Sequence, residues 1–175
     1  MYDNSGILRA NIPTDGYVGR NVQIIYDSLV VQSSKNCLVR INRLGQVTHS
    51  YPVYGYHFQG EYAYDGSAGV YLLATADRKN MTVGSKVLKI DLENKKVSQV
   101  LDMDTLLKSV YARAKKKGNA KNWISLDSIQ CTGTNQLLLS SSKLSSVFKV
   151  SRVGSLLPSV TILLPMPHSG KVIKD

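Results

Sequence analysis

The chain has 175 residues, 43% of them apolar, and a formal net charge of +10. That length suffices for one domain with a real core, the apolar share argues against a disordered chain, and no run approaches the ~18 apolar residues of a membrane span. The charge would suit an acidic partner, but it is diffuse, with Lys115-Lys116-Lys117 as its one run, and it lacks the clustered Arg and interleaved aromatics of a nucleic-acid reader. Met1 to Gly6 holds no basic segment leading into an apolar stretch, so neither a signal peptide nor a location is read there. Cys37 and Cys131 are too few for a disulfide framework or a four-ligand zinc site and read as free thiols buried in strands.

Along the chain, short strands dominate. Asn21 to Tyr26 is the first, Asp27-Ser28 breaks it with turn chemistry, and Leu29 to Gln32 is the second. A unit of alternating strand, polar turn and second strand then recurs three times. It reads Cys37 to Asn42 with Gly45-Gln46-Val47, Lys86 to Asp91 with Lys96-Val97, and Ser146 to Ser151 with Gly154-Ser155-Leu156. The two-residue period of a strand puts Arg40, Lys89 and Lys149 on one face and apolar neighbours on the other.

Two further strands precede the second unit: Glu61 to Tyr64 and Val70 to Thr75, joined through Asp65-Gly66. Two more precede the third: Leu126 to Gln130 and Gln136 to Ser140, joined through Thr132-Gly133-Thr134-Asn135. Four strands per repeat of about 40–50 residues is the pattern of propeller blades; an unrelated antiparallel sandwich is the alternative. The spacing from Arg40 to Lys89 is 49 residues and from Lys89 to Lys149 is 60. The excess comes from an inserted helix near 104–117. Asp104 is placed to cap it, Leu106, Leu107, Val110, Tyr111 and Ala114 share an apolar face, and Gly118 ends it. The sequence thus predicts an all-β chain of about three four-stranded antiparallel blades over 1–165, with an irregular tail over 166–175. Closed propellers need about four to eight blades. Three blades imply part of a larger ring, closure with a second copy or with a partner that supplies further blades, or exposed sheet edges.

The order of motifs resembles the bacterial arylsulfotransferase family over roughly residues 3–164. The resemblance is carried by "GYHFQGEYAYDG" (55–66), "LLATADRKNMTVGSKVLKIDLENKKVSQVLDMDTLL" (72–107) and "NWISLDSIQCTGTNQLLLSSSKLSSVFKV" (122–150). It implies a six-bladed ring, substrates bound near the central axis, no metal or other cofactor, and a histidine that carries the sulfuryl group from a phenolic sulfate ester to a phenol. The small-molecule partner it implies is a phenol or an aryl sulfate.

Carried over residue by residue, the resemblance implies a substrate site at Gln59, Gly60, Glu61, Trp123, Ser125, Asp127 and Ser142, with substitutions. Paired histidines and an acid are expected at Gln59-Gly60-Glu61, where only the acid is kept. The Trp-x-His-x-Asn motif reads Trp123-Ile124-Ser125-Leu126-Asp127, and Ser-Ser-Arg reads Ser140-Ser141-Ser142. The sulfuryl-carrying histidine belongs to a later blade. Sulfuryl transfer needs a nucleophile and donors around charged oxygens. An Arg fork supplies the donors well, a Ser hydroxyl supplies one neutral donor, and a carboxylate repels the ester. Two functions are therefore expected of the residues: an arylsulfotransferase-like propeller inactive on its own, or a non-catalytic binding or structural propeller. His57, two residues before Gln59, is placed to face the axis or to sit in a loop; His49 and His168 carry no motif, and the ten Tyr are mostly strand and core residues.

Overall fold

A computed structural model describes residues 5–7, 21–77, 82–132 and 135–157. The expected tail over 166–175 lies outside the described residues. The chain divides into two compact units, Met1–Pro52 and Val53–Asp175.

In the first unit, β1 (Val22–Ile25), β2 (Ser28–Ser34), β3 (Cys37–Ile41) and β4 (Val47–Pro52) form one antiparallel sheet in sequence order. The turn after β3 is built by Asn42, whose side-chain oxygen accepts the N–H groups of Leu44 and Gln46 at 2.9 and 3.0 Å. This is the Asx chemistry that closes hairpins. The Arg40 guanidinium lies 5.3 Å from the centre of the Tyr26 ring, so this strand cation covers an aromatic surface rather than facing open solvent.

In the second unit, β5 (Tyr56–Tyr64), β6 (Gly69–Ala76), β7 (Lys86–Asp91) and β8 (Val97–Asp102) make a second four-stranded sheet in sequence order. β9 (Ser128–Thr132), β10 (Gln136–Ser141) and β11 (Ser146–Ser151) make a third, of three strands. Beside β11 a fourth segment begins, where Leu156 bridges to Val150 and the Leu157 N–H reaches the Lys149 carbonyl at 2.9 Å. Antiparallel meanders with strands in sequence order are the blades of a β-propeller. The fold is of that type, as the repeats predict.

β5 packs against β9, and the space between their sheets is filled by Tyr71, Leu73, Val87, Ile129, Leu137 and Leu139. The two sheets also meet at charged and close contacts. The Arg152 guanidinium stands 3.8 Å from the Asp65 carboxylate. The Tyr71 ring has Lys89 of its own sheet at 5.6 Å and Arg152 at 5.9 Å. Gly154, at φ +91°, lies so near the Val100 carbonyl that a Cβ there would overlap it. Cys37 and Cys131 are free thiols, half-buried rather than buried, in β3 and β9.

The inserted helix is two helices. α1 (Met103–Leu106) and α2 (Lys108–Lys116) are separated at Leu107, where φ is −107° and ψ 44°. The cap is Asp102 rather than Asp104: the Asp102 carboxylate accepts the Asp104 N–H at 2.9 Å. Asp104 is occupied elsewhere. Its Oδ2 accepts from Lys86 Nζ at 2.8 Å and its Oδ1 from the Trp123 indole N–H at 2.8 Å. Lys86 Nζ also donates to Asp102 at 2.5 Å, and only 2% of the Lys86 side chain is exposed.

This ammonium balances two carboxylates, and its loss leaves them together without a counter-charge. Removing one partner of a buried ion pair costs about 3–5 kcal/mol. Lys86→Ala is therefore expected to lower the unfolding free energy by about 3 kcal/mol, read by urea denaturation. Retention of wild-type stability would show that the network contributes little.

A second prediction concerns pH. Burial pushes the Asp65 carboxyl upward, but the N–H of Gly69, the N–H and hydroxyl of Ser67 and the charge of Arg152 outweigh it, and the group is held below its usual range. A carboxyl with a lowered folded pKa stabilises above the unfolded pKa of about 3.9 and loses that contribution as pH falls through the folded value. The stability gap between the wild type and Asp65→Asn should be constant from neutral pH to about 5 and shrink below about 4. Urea midpoints at pH 7 and pH 3 measure it, and a gap that widens in acid contradicts the assignment.

Candidate functional site

The connections that run through one end of the second and third sheets carry most of the residues singled out by sequence. β5 and β9 begin there, and β6, β8 and β10 end there. Gln59, Gly60 and Glu61 form a bulge in β5: Phe58 pairs with Ala74 and Tyr62 with Leu72, so three residues oppose Leu73 alone. Bulges of this kind bend a strand and re-aim its side chains. Here Gln59 Nε2 donates to Thr75 Oγ1 at 2.6 Å. The Gly84 N–H donates to the same hydroxyl oxygen at 2.8 Å.

Gly84 is the hinge of this corner. It has φ +61°, and a Cβ on it would stand 3.4 Å from Ser125 Oγ, 3.5 Å from the Leu126 nitrogen and 3.6 Å from Gln59 Cδ. The positive φ, more than crowding, favours glycine. The Gly84 carbonyl accepts the Leu126 N–H at 3.0 Å, which sets the segment carrying Ser125 beside Gln59. One step further, Asp127 is tied to the end of β10. Its N–H reaches the Ser140 carbonyl at 2.9 Å, and its carboxylate accepts the Ser142 N–H. The hydroxyls of Ser128 and Ser140 hydrogen-bond at 2.6 Å.

The structure thus brings Gln59 and Ser125 together around Gly84, and Asp127 and Ser142 together one strand away. Glu61 is half-buried in the bulge. Trp123 is set apart from both groups. It is buried, its indole N–H bonds Asp104, and its ring lies 5.7 Å from that of Tyr111. Among the described residues, no Lys or Arg side chain hydrogen-bonds or ion-pairs with Gln59, Thr75, Ser125, Asp127 or Ser142. Chemically, the corner offers hydroxyls, a side-chain amide and carboxylates. That set can donate hydrogen bonds to, and accept them from, a hydroxyl-bearing group.

Sequence reasoning missed three residues here. Thr75 and Gly84 join the corner only through the sheet register and the β6–β7 connection. Asp77 stands with its Oδ2 3.4 Å from His57 Nε2. His57 is a strand residue paired with Thr75, so a residue two places beyond Thr75 is its diagonal neighbour. The register between the two strands is the signal that would have found this pair. Among the described residues, no group of three or more His, Cys, Asp or Glu is placed to hold a metal, and no helix is long and apolar enough to cross a membrane.

Comparison with known proteins adds the following. No curated protein matches the chain. Among solved structures it is similar to a streptogramin B lyase, with 15% identity, 94% of this chain and 47% of that one covered, and a TM-score of 0.54. It is also similar to the Pan2 WD40 domain of Neurospora crassa, with 8% identity, 80% and 34% covered, and a TM-score of 0.50. The extracellular domain of a hybrid two-component system from B. thetaiotaomicron matches at 15% identity, 93% and 19% covered, and a TM-score of 0.50. The chain spans less than half of each of these structures, and at such identities they speak to fold alone. The family model for arylsulfotransferase (ASST) matches residues 1–157. With most of its length inside that match, the chain belongs to the arylsulfotransferase family.

Proposed function

We propose that this chain is an arc of an arylsulfotransferase-like propeller that receives a phenol or an aryl sulfate at the Gln59–Thr75–Ser125 corner and does not itself transfer the sulfuryl group. The observation that carries this reading is the hydrogen bonding of the corner and its neighbour. Gln59 and Gly84 both donate to Thr75, and Asp127 accepts from the Ser142 N–H. These are neutral donors and a carboxylate at the positions where the family resemblance implies His, Asn and Arg. Loss of one donor to a developing oxyanion costs about 10²–10³ in rate; several losses together leave little catalysis. A phenol hydroxyl, by contrast, needs only the acceptors and donors that Gln59, Ser125 and Asp127 supply.

One observation favours the enzymatic reading instead. His57 is paired with Asp77 at 3.4 Å, and a carboxylate beside an imidazole orients it for nucleophilic or acid–base work. The experiment that separates the two readings uses 4-nitrophenyl sulfate as donor and phenol as acceptor with the purified chain. Release of 4-nitrophenol at the rate of a heat-killed control is expected. Turnover above that control, abolished by His57→Ala, would overturn the proposal and assign His57 the nucleophile's role.

Assembly forms part of the same proposal. Blade repeats bury their faces by stacking on one another, and the described residues form three sheets, so a second copy is a neighbour on which they would stack. The net charge of +10 opposes such pairing, but at physiological salt charges separated by more than about 8 Å are largely screened. Light scattering at high micromolar concentration is expected to give the mass of a dimer, and a stable monomer there would refute self-pairing.

A further inference from the structure

A recess lies outside the corner, between α2, the 3₁₀ turn at Ala120–Asn122 and the β10–β11 turn. Positions 110, 113, 114 and 117 recur at three and four residues, so they share one face of α2. Val110 and Ala114, half-buried, line the recess together with Trp123 and Leu144. Arg113 and Lys117 stand beside them at the rim, exposed. Lys143 Nζ donates to the Asn122 carbonyl at 3.2 Å, which holds the two turns together at the edge of the recess. The volume is about 270 Å³, just under the ~300–1,000 Å³ of ordinary small-molecule sites. From Lys108 to Asn122 there are six Lys or Arg and no acid. Among the described residues, no acid forms an ion pair with any of the six.

We propose that this recess docks an acidic segment of a partner protein, with one aliphatic side chain in the recess and its flanking carboxylates on Arg113 and Lys117. Charge complementarity calls for an anionic partner, and the shape of the surface selects among anionic partners. A bilayer is taken by apolar side chains that protrude. Here the apolar surface is concave, and the exposed large apolar residues, Val22, Ile24 and Tyr54 among them, lie elsewhere. Single-stranded nucleic acid is taken by aromatic rings open to stacking, whereas Trp123 is buried and Tyr111 lies half-buried against it. A side chain projecting from a polypeptide can enter such a recess, and the carboxylates beside it then reach the rim cations through charge-assisted hydrogen bonds, for which a guanidinium offers a planar fork. The inference does not rest on the reading of the Gln59–Ser125 corner, since its residues are different ones.

Trp123 is the one tryptophan of the chain, so its emission reports on this recess directly. The probe is a capped peptide with one leucine flanked on each side by two glutamates, titrated into the full chain at about 50 mM salt. A saturable change is expected. Alanine in place of the leucine should weaken binding about tenfold or more, and glutamine in place of the glutamates should do the same. The double variant Arg113→Gln/Lys117→Gln alters only exposed positions and should weaken the peptide about tenfold. Lys95→Gln/Lys96→Gln removes the same charge at the exposed β7–β8 turn and should leave the affinity unchanged. Absence of a saturable change, equal binding of the alanine peptide, or equal losses in the two double variants would each overturn the proposal. Phosphatidylserine vesicles or oligothymidylate that alter the emission through Arg113 and Lys117 where the peptide does not would give the surface to a membrane or a nucleic acid and overturn it equally.

Discussion

The ammonium of Lys86 between Asp102 and Asp104 is the interaction on which the second unit depends. Lys86 opens β7, Asp102 closes β8, and Asp104 lies in α1. A buried ammonium is costly to desolvate unless carboxylates and hydrogen bonds surround it, and this one has both, at 2.5 and 2.8 Å. The network then extends outward. Asp104 takes the Trp123 indole N–H, and the Ser85 carbonyl takes the N–H of Met103. The connection from β8 to β9 is thereby held at its start by Lys86 and near its end by Trp123. Gly84, Ser85 and Lys86 are consecutive. The first shapes the candidate corner, the second and third tether the helices, and a shift in one is felt by all three. Ser125 and Asp127 are set directly by the bonds to the Gly84 and Ser140 carbonyls, and the ion-pair network, which neither residue touches, anchors the connection that carries them.

The boundary between the second and third sheets is held differently. Its middle is aliphatic and aromatic, as Leu73, Val87, Ile129 and Leu137 show. Its flank carries Asp65, Tyr71, Lys89 and Arg152. Burial raises the Tyr71 phenol, with the Asp65 carboxylate adding to the effect, so the ring stays neutral and presents its face to two cations. Burial raises the Cys131 thiol as well, although Arg152 opposes it. Gly154 admits the Val100 carbonyl where any side chain would collide. Shape and charge fix the register of the two blades at this edge, while the hydrophobic centre supplies the attraction.

Much of this was legible because its signals are local. The apolar runs of β6, β7 and β10 are short and bounded by turn residues, with β6 buried almost throughout and β10 at every second residue, and the turns between strands have Asp, Asn and Gly where positive φ or Asx bonding is needed. The helical insertion announced itself by spacing and by its apolar stripe. What remained illegible depends on pairing across distance. The break at Leu107 and the move of the cap from Asp104 to Asp102 follow from Asp104 being claimed by Lys86 and Trp123, partners 18 and 19 residues away. The bulge at Gln59–Glu61 and the approach of Asp77 to His57 follow from strand register, which a single sequence leaves open. The strand cations Arg40 and Lys89 were placed on the right strands, but nothing in the local pattern showed that each would cover a tyrosine ring.

The distribution of charge separates the corner from α2 in chemical terms. The corner at Gln59, Thr75 and Ser125 is assembled from backbone N–H groups, hydroxyls and an amide, with the Asp127 carboxylate nearby. The basic residues of α2 are exposed to water. Stabilising a sulfuryl group in flight requires fixed positive charge within hydrogen-bond reach of its oxygens, in a site shielded from water. Cations on an exposed helix act through solvent and over longer distances, so they can gather an anion but cannot lower the barrier of a reaction at the corner. Among the described residues the corner therefore offers hydrogen-bonding groups without a bonded cation, while the exposed basic residues of α2 contribute a field rather than a contact.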